Sequence, residues 1–401
     1  MSELPSPGEL AKRASFDVAG RPRLIFGEGS SARAGEVAQE LRAKHALLVT
    51  DAGIVKAGHA ARIEQSLRSA GLQVTVFAEA HENPTTRDVD ACLAVARAAG
   101  IDLIVGLGGG SSMDTAKGTN FLLTNGGRMQ DYWGVGKATK PMLPLIAIPT
   151  TAGTGSEMQC AALIADEVTH QKMACLDPKA LAQVSILDPV LTLSQPPGVA
   201  ACTGIDAVAH AVETAVTRKR SRDSTPFAVE AFRLCVSAFP QVLMEPDDLA
   251  ARGCMQLGAA FAGAAIDRSM LGAAHAAANP LTARFGVVHG NAVGLMLPHV
   301  VRFNAQLPSV RGLYAQLAVA AGLADDYDPV ESAVGQLEKR LSDLLELSEL
   351  PRTLAEFNIR REVIPALAKE AAKQWTAGFN PRSVGVEEFL RLYEAAFEPR
   401  A

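Results

Sequence analysis

Short apolar runs alternate with segments of helical period in the first half of the chain. The apolar runs have the length of buried strands and are rich in Val, Ile and Leu. They lie at residues 23–26, 46–51, 73–77, 103–108, 145–150 and 184–189. Segments with helical spacing, such as 31–45 and 62–71, lie between them. Strand, helix and strand in this order predict a mostly parallel sheet with helices on both faces.

The pattern changes after the Pro-Pro-Gly sequence at residues 196–198, which interrupts the chain. Beyond it we find no segment typical of a strand. Ala- and Leu-rich segments there have helical spacing, for example 331–347 and 386–397. We therefore predict two domains, an α/β domain of the nucleotide-binding type over residues 1–195 and an all-helical domain over residues 196–401.

Composition and charge argue against several classes of partner. The 401 residues are 48% hydrophobic and 20% charged, with a net charge of −5 and no basic stripe, so we expect no nucleic acid partner. The longest weakly apolar stretch, 254–283, is interrupted by Asp267 and Arg268, so we expect no membrane span.

The cellular compartment is predicted from the N-terminal residues and the cysteines. The first thirteen residues, MSELPSPGELAKR, lack the apolar centre of a secretory signal. The six cysteines have no CxxC spacing, which favours reduced thiols over a disulfide framework. We expect a cytoplasmic protein.

Two glycine-rich turns follow predicted strands. The first, GEGSSA at 27–32, fits the dinucleotide pattern G-x-G-x-x-A, and Asp51 ends the next strand. The second, GLGGGSSMDTAKG at 106–118, has glycines that let a phosphate approach the backbone and precedes a predicted helix. A tight strand-to-helix turn is the alternative interpretation of the second sequence.

A third loop, PTTAGTGSE at 149–157, also follows an apolar strand. Its hydroxyl groups can hydrogen-bond a phosphate or a nicotinamide amide. A threonine-rich turn that caps a helix explains the same residues, and on this segment alone it is the favoured interpretation.

One carboxylate and three imidazoles lie in apolar segments of the second half. Asp206 and His210 are four residues apart and therefore share one face of a helix. His275 and His289 lie in Ala- and Gly-rich segments further on, His289 at a predicted helix start. These four residues suit a divalent transition metal such as iron or zinc. Histidines that only pack in the core remain the alternative.

Taken together, the motifs resemble the iron-containing (group III) alcohol dehydrogenase family, and the resemblance runs nearly from end to end. The segments that carry it are IFGEGS, VTD at 49–51, ENPT at 82–85, GGGSSMDTAK at 108–117, PTTAGTGSE, DPVLTLSQP, TGIDAVAHAVE, GAAHAAANPL, VHGNAVGLMLPHVVRFN and FNPRSV at 379–384. The resemblance implies the fold shared with dehydroquinate synthase, in which a cleft separates the dinucleotide-binding domain from the helical domain.

The resemblance also implies a role for individual residues. The implied metal ligands, which act in catalysis through the metal, are Asp206, His210, His275 and His289. The implied cofactor contacts are Gly109, Gly110 and Ser111 at the pyrophosphate, Thr150 and Thr151 near the nicotinamide, Asn83, Lys172, and Asp51 at the adenosine ribose. An acid at position 51 predicts NAD rather than NADP. The GEGSSA turn becomes part of an N-terminal strand and turn, and Glu213 is expected to orient His210 from outside the ligand set.

This chain departs from the family pattern at two places. Asn279 replaces a histidine that often relays protons, and a neutral amide cannot titrate. Proton exit through water or a ribose hydroxyl is one hypothesis, and the other is that Asn279 merely ends a helix before Pro280. The sequence Ile-Asp-Arg at 266–268 replaces an aromatic residue followed by Ser-Asn, which indicates a changed pocket wall.

The implied activity is hydride transfer between NAD and a small alcohol or its aldehyde or ketone, assisted by one divalent metal, Fe²⁺ or Zn²⁺. A hydroxyacid–oxoacid transhydrogenase or an oxo-acid reductase is the nearest alternative, with Arg268 as its candidate carboxylate anchor. A dehydroquinate synthase-like lyase would need Lys and Arg residues near the ligands, where there are few. A non-catalytic binding protein is the remaining alternative. We expect a homodimer or a larger homo-oligomer.

Overall fold

The structure is a computed structural model that describes residues 7–169 and 171–398. These residues form two compact units, one containing residues 12–195 and the other residues 7–11 and 196–398. The α/β class of the first and the helical class of the second confirm the predicted fold class.

The strands belong to the first unit, and all six predicted strands are among them. They are β1 (Phe16–Val18), β2 (Arg23–Phe26), β3 (His45–Val49), β4 (Gln73–Phe77), β5 (Leu103–Gly108), β6 (Gly134–Val135), β7 (Leu145–Pro149), β8 (Ala161–Ala165), β9 (Lys172–Leu176) and β10 (Val184–Leu187). Strands β1, β6, β8 and β9 are additional to the prediction. They are short or only partly buried, so they lack the continuous apolar run that marks a central strand.

Seven strands form one sheet in the order β1-β2-β10-β7-β5-β3-β4, parallel except for β1 against β2. Side chains alternate between the two faces of β5: Leu103 and Val105 pack in one apolar cluster and Ile104 in another. The helices of this unit are α2 (Ala34–Glu40), α3 (Ala52–Lys56), α4 (His59–Ser69), α5 (Thr86–Ala99) and α6 (Gly110–Asn125). Strands β6, β9 and β8 form a second, three-stranded sheet.

The second unit contains helices and no strand among its described residues. Its helices are α1 (Pro7–Leu10), α7 (Pro197–Val216), α8 (Thr225–Met244), α9 (Leu249–Asp267), α10 (Ala273–Phe285), α11 (His289–Asn304), α12 (Pro308–Ala320), α13 (Val330–Leu347), α14 (Ile364–Ala371) and α15 (Val386–Ala395). The predicted helices at 331–347 and 386–397 correspond to α13 and α15. Both bury one apolar stripe and expose the opposite face.

Three helices of this unit, α7, α8 and α9, have the length and apolar composition that a membrane span requires. Between 56% and 89% of their most apolar windows is buried inside the protein. Of the three, only α9 overlaps the apolar stretch 254–283 that the sequence marked. Packing inside the unit accounts for much of their apolar character.

A buried lysine ties the loop after β7 to α6. The Lys117 side chain is fully buried, and its ammonium group donates to the carbonyl and hydroxyl of Ser156 at 2.6 and 3.0 Å, to the Gln159 carbonyl at 2.7 Å and to the Ala161 carbonyl at 3.0 Å. Asp114 lies one turn earlier. Burial raises its pKa to about 6, while the Lys117 charge acts in the opposite direction.

The helices α7 and α11 approach closely at a glycine. A Cβ atom on Gly290 would lie 2.0 Å from the Cys202 carbonyl oxygen, closer than any van der Waals contact. Glycine is therefore required where the first turn of α11, which begins with His289, crosses α7.

We predict that Gly290→Ala lowers the free energy of unfolding by about 2 kcal/mol or more, because the new methyl group must push the two helices apart. Gly312→Ala is the matched control, since Gly312 lies inside α12 with open space around its Cα. The control should raise stability by up to about 1 kcal/mol through helix propensity. Urea unfolding followed by circular dichroism measures both, and equal stability of the two variants would contradict the account.

We predict that Lys117→Met lowers the free energy of unfolding by at least about 3 kcal/mol, because several buried oxygen acceptors lose their donor at about 1–3 kcal/mol each. Lys179→Met is the control: its ammonium group bonds Asp177 and the Ala138 carbonyl, but the side chain is 40% exposed. Water can replace part of those bonds, so the loss should be clearly smaller. If urea unfolding gave the same loss of unfolding free energy for both variants, burial of Lys117 would not be the cause of the loss.

Candidate functional site

Three adjacent parallel strands end at one edge of the large sheet in the first unit. Strands β3, β5 and β7 are neighbours, and Gly108 at the end of β5 pairs with Pro149 at the end of β7. Gly109 and Thr150 directly follow β5 and β7, and Asp51 lies two residues after the end of β3. Ligands of open α/β sheets bind outside the carboxyl ends of the strands, so this edge is the candidate nucleotide site.

Contacts join the three strand ends. The Ser112 hydroxyl donates to the Asp51 carboxylate at 3.3 Å, and the Thr150 N–H donates to the Gly108 carbonyl at 3.0 Å. A Cβ atom on Gly109 would touch the Thr151 side chain at 3.4 Å. The structure therefore brings together Asp51, the glycine-rich turn at 106–118 and the threonine loop at 149–157.

The remaining predicted cofactor residues lie at the same place. The Asn83 N–H donates to the Ser111 hydroxyl at 3.3 Å, and the Lys172 ammonium group donates to the Asn83 side-chain oxygen at 3.3 Å. Asn83 has a left-handed backbone with φ 52°, which asparagine tolerates better than most residues. Asn83 and Lys172 are both solvent-exposed.

The N-terminus of α6 is suited to an anion. Its N-cap residue, Gly109, has no side chain to bond the first N–H groups, and its first turn contains no acidic residue. The helix is sixteen residues long, so these N–H groups and the helix dipole present partial positive charge beside Gly110 and Ser111. This is the chemistry that a pyrophosphate requires.

The GEGSSA turn differs, because a carboxylate already occupies its donors. Asp188 accepts from the N–H groups of Gly29 and Ser31 at 3.0 and 3.1 Å and from the Ser31 hydroxyl at 2.6 Å. A phosphate at this turn would have to displace a buried acid. The turn after β2 is therefore structural.

In the second unit, two helices bring a carboxylate and two imidazoles together. Asp206 and His210 lie on one face of α7, and His275 lies in α10. All three are at least 95% buried. The Nε2 atoms of His210 and His275 are each 3.5 Å from Oδ1 of Asp206, and the two rings stack with centroids 4.8 Å apart.

The donor atoms of this cluster fit a metal ion. One potential ligand atom from each residue lies within 4.8 Å of the other two. Tetrahedral coordination with bonds near 2.1 Å places ligand atoms about 3.4 Å apart, close to the 3.5 Å separations observed here. In the part of the chain that the structure describes, Asp206 Oδ1 and His275 Nε2 are buried without a hydrogen-bond partner, and a shared cation would satisfy both.

The electrostatics of the cluster favour bound positive charge. Burial raises the pKa of Asp206, but His210 and the other imidazoles outweigh burial and hold that pKa far below the usual range. Burial likewise lowers the pKa of His275, but the Glu213 and Asp206 carboxylates raise it to about 9. The field that attracts a proton to this imidazole also attracts a divalent cation.

His289, the fourth predicted ligand, lies beside the cluster as the first residue of α11. Its ring centroid is 5.5 Å from that of His275, and its charge contributes to the lowered pKa of Asp206. His289 is not part of the compact group formed by Asp206, His210 and His275. The close crossing at Gly290 places His289 next to α7.

Glu213 contacts a different histidine from the one expected. Its carboxylate accepts from Nδ1 of His275 at 2.6 Å, so the expectation that it orients His210 is corrected. Glu213 lies three residues after His210 on the same helix, and sequence spacing alone suggested that pair. The N-terminus of α10 contacts this carboxylate, because the N–H groups of Gly272 and Ala274 donate to it.

Asn279 does not end its helix. Helix α10 continues from Ala273 through Asn279 and Pro280 to Phe285, so the helix-ending hypothesis is wrong. The Asn279 amide instead donates to the Gln374 side chain at 3.0 Å. One turn separates Asn279 from His275, and no imidazole occupies the relay position.

The Arg268 guanidinium group contacts two neighbouring residues of the helical unit. Its guanidinium group donates to the Ala264 carbonyl at 2.9 Å and lies 5.0 Å from the centroid of the Phe227 ring. The residue is exposed at the end of α9. These contacts do not indicate a carboxylate anchor.

Two buried polar residues near these sites, Lys117 and Asn380, could not be identified from the sequence. Lys117, which ties the threonine loop to α6, lies within a quoted motif, but its burial was not anticipated. Asn380 accepts from the Ala273 N–H at the start of α10, across 107 residues of sequence. No local pattern marks a contact over that distance.

Comparisons with known proteins agree with this structure. Residues 22–189 match the family described as "Iron-containing alcohol dehydrogenase", and residues 200–397 match "Fe-containing alcohol dehydrogenase family, C-terminal". The NAD-dependent methanol dehydrogenase of Bacillus methanolicus is 32% identical over 94% of this chain and 98% of its own length.

Solved structures resemble the chain over nearly the same extent. A 1,3-propanediol oxidoreductase superposes with a TM-score of 0.90 at 32% identity, covering 93% of this chain and 97% of its own. A sulfoacetaldehyde reductase from Bifidobacterium kashiwanohense, solved in complex with NAD⁺, has a TM-score of 0.84 at 28% identity and covers 94% and 97%. The chain belongs to the iron-containing alcohol dehydrogenase family.

Proposed function

We propose that this protein is a metal-dependent oxidoreductase that transfers hydride between NAD(H) and a small alcohol or its aldehyde or ketone. In this proposal residues 1–195 bind NAD, and residues 196–401 hold one divalent metal and the substrate. The observation that carries the proposal is the buried cluster of Asp206, His210 and His275. In it, Oδ1 of Asp206 and Nε2 of His275 lie 3.5 Å apart, and both are buried without a hydrogen-bond partner. Family membership supports it.

The metal-binding part of the proposal assigns four ligands, Asp206, His210, His275 and His289. When bound, the metal supplies Lewis acidity toward the substrate oxygen, and NAD supplies the hydride acceptor. Asp206 contributes the negative charge that holds a divalent cation, and the imidazoles leave net positive charge for the substrate oxygen. Nitrogen and oxygen ligands suit Fe²⁺, our first choice, and also Zn²⁺.

The cofactor part of the proposal assigns the edge of the large sheet. Gly109, Gly110 and Ser111 at the N-terminus of α6 bind the pyrophosphate, and Thr150 and Thr151 bind near the nicotinamide. Asn83 and Lys172 make further contacts. Asp51 accepts from the ribose 2′-hydroxyl and repels a 2′-phosphate.

Oxidation of an alcohol to an aldehyde or ketone releases the hydroxyl proton of the substrate. This proton must leave by a route that does not use the side chain at position 279. The amide of Asn279 cannot take up or release a proton, and it is bonded to Gln374. We place the exit with water or a ribose hydroxyl of the cofactor. We also propose that the protein is cytoplasmic and forms a homodimer or a larger homo-oligomer. We propose no nucleic acid partner and no membrane partner.

The alternatives receive no support from a specific contact. An oxo-acid reductase or transhydrogenase needs a cation that binds the substrate carboxylate, and the contacts of its candidate, Arg268, are with the Ala264 carbonyl and the Phe227 ring. A lyase of the dehydroquinate synthase type needs a dense set of cations for its phosphate. The segments around residues 206, 275 and 289 contain few.

The direct test of the function begins with metal analysis of the purified protein. NADH-linked assays then follow a chain-length series of alcohols, aldehydes and hydroxy-acids. We expect about one metal per chain and turnover of a small alcohol or aldehyde. Stoichiometric metal without turnover of any member of the series would overturn the proposal in favour of a binding protein.

We predict that His275→Ala removes the bound metal and abolishes turnover while the fold survives, because the site loses a buried ligand nitrogen. His299→Ala is the matched control, since His299 lies ten residues after His289 on the same helix and is not a proposed ligand. Elemental analysis and circular dichroism provide the readout. A metal-free His275→Ala variant with full activity would refute the assignment.

We predict that Asp51→Gly lowers the NAD-to-NADP ratio of kcat/KM by about tenfold or more, because a repulsive charge is removed from the 2′-phosphate position. Asp51 also caps α3 by accepting from the Ile54 N–H at 3.0 Å, so Asp51→Asn is the control that keeps a capping oxygen. Both variants should shift the ratio, and only Asp51→Gly should lose the cap. An unchanged ratio in both would show that Asp51 does not select the cofactor.

A further inference from the structure

Two buried side chains hold the start of α10, the helix that carries His275. The N–H groups of Gly272 and Ala274 donate to the Glu213 carboxylate at 3.1 and 2.7 Å, and the N–H of Ala273 donates to the Asn380 side-chain oxygen at 3.3 Å. These three consecutive N–H groups have no partner within a helix. Side chains distant in sequence therefore satisfy the first turn of α10.

The same carboxylate reaches the ligand side chain itself. Glu213 accepts from Nδ1 of His275 at 2.6 Å, so Nδ1 carries the proton of this hydrogen bond. Nε2 is then the ring atom on the side of Asp206, 3.5 Å from Oδ1. One carboxylate thus fixes both the backbone turn and the ring that extends from it.

Asn380 belongs to the segment FNPRSV at 379–384, for which the metal and cofactor sites give no role. Its amide donates to the Asn304 side chain and to the Arg382 carbonyl, each at 2.7 Å, and its oxygen accepts from Asn304 at 3.1 Å. The segment is anchored further where the Phe379 carbonyl accepts from Thr217 at 3.0 Å. Asn380 is therefore held rigidly when it meets α10.

A glycine makes room for both side chains. A Cβ atom on Gly272 would lie 3.0 Å from Glu213 Oε1 and 3.0 Å from Asn380 Oδ1. Any larger residue would push the two oxygen atoms away from the N–H groups that they accept from. The local sequence is thus compatible with a doubly capped helix start.

We propose that Glu213 and Asn380 are positioning residues for His275. They fix the first turn of α10 and the proton on Nδ1, so that Nε2 is presented to the metal. The inference rests on the proposed metal site and adds to it the reason for the FNPRSV segment. Hydrogen bonds from the outer side of a metal-binding imidazole to a carboxylate commonly strengthen metal binding.

The test uses the full chain without metal, titrated with Co²⁺ against a competing chelator. Glu213→Gln keeps the size of the side chain but replaces one accepting oxygen with an NH₂ group, which cannot accept from Nδ1–H and from both N–H groups. We expect the Kd for Co²⁺ to rise about 10- to 100-fold and the visible absorption of bound Co²⁺ to change. Glu230→Gln, in α8 and paired with Arg233, is the matched control and should change neither.

Asn380→Ala is the second variant; it removes the bond to the Ala273 N–H, together with the bonds to Asn304 and Arg382, and leaves the Glu213 contact with Nδ1 of His275 in place. It should weaken Co²⁺ binding by a smaller factor, about tenfold or less, and it decides the matter if Glu213→Gln does not fold. Wild-type Kd and wild-type absorption in the folded variants would overturn the positioning role and leave the metal site intact. If the wild-type protein bound no Co²⁺, the proposed function would fail together with this inference.

Discussion

The buried carboxylate of Asp206 is the constraint on which the second unit depends. A carboxylate that is 95% buried costs several kcal/mol in lost hydration unless positive charge compensates it. The Nε2 atoms of His210 and His275 each lie 3.5 Å from its Oδ1 atom. Such an arrangement is stable with a shared cation, and this requirement explains why three helices present histidine side chains to one carboxylate.

The surrounding packing keeps these donors in place. Gly290 lets α11 cross α7 closely beside Asp206, and Glu213 links the first turn of α10 to His275. In the first unit Lys117 has a comparable role, because one ammonium group joins the threonine loop to α6. In both units a buried polar contact, rather than apolar packing alone, sets the position of a chemically active segment.

Much of the fold could be predicted from the sequence, because buried parallel strands such as β5 are continuous apolar runs and the helices have a regular period. The short strands β8 and β9 lack such a signal. Asp206 and His210 could be paired by their spacing, whereas joining them to His275 required the family resemblance. The partner of Glu213 could not be predicted, since contact with α10 depends on how two helices pack, which no local spacing encodes.

The central claim is that Asp206, His210, His275 and His289 hold one divalent metal. The most direct measurement is anomalous X-ray diffraction from crystals of the metal-loaded protein, collected on both sides of the absorption edge of iron. We expect a single anomalous peak within bonding distance, about 2.0–2.2 Å, of all four side chains. A fully loaded crystal whose anomalous peak lies away from Asp206 would contradict it.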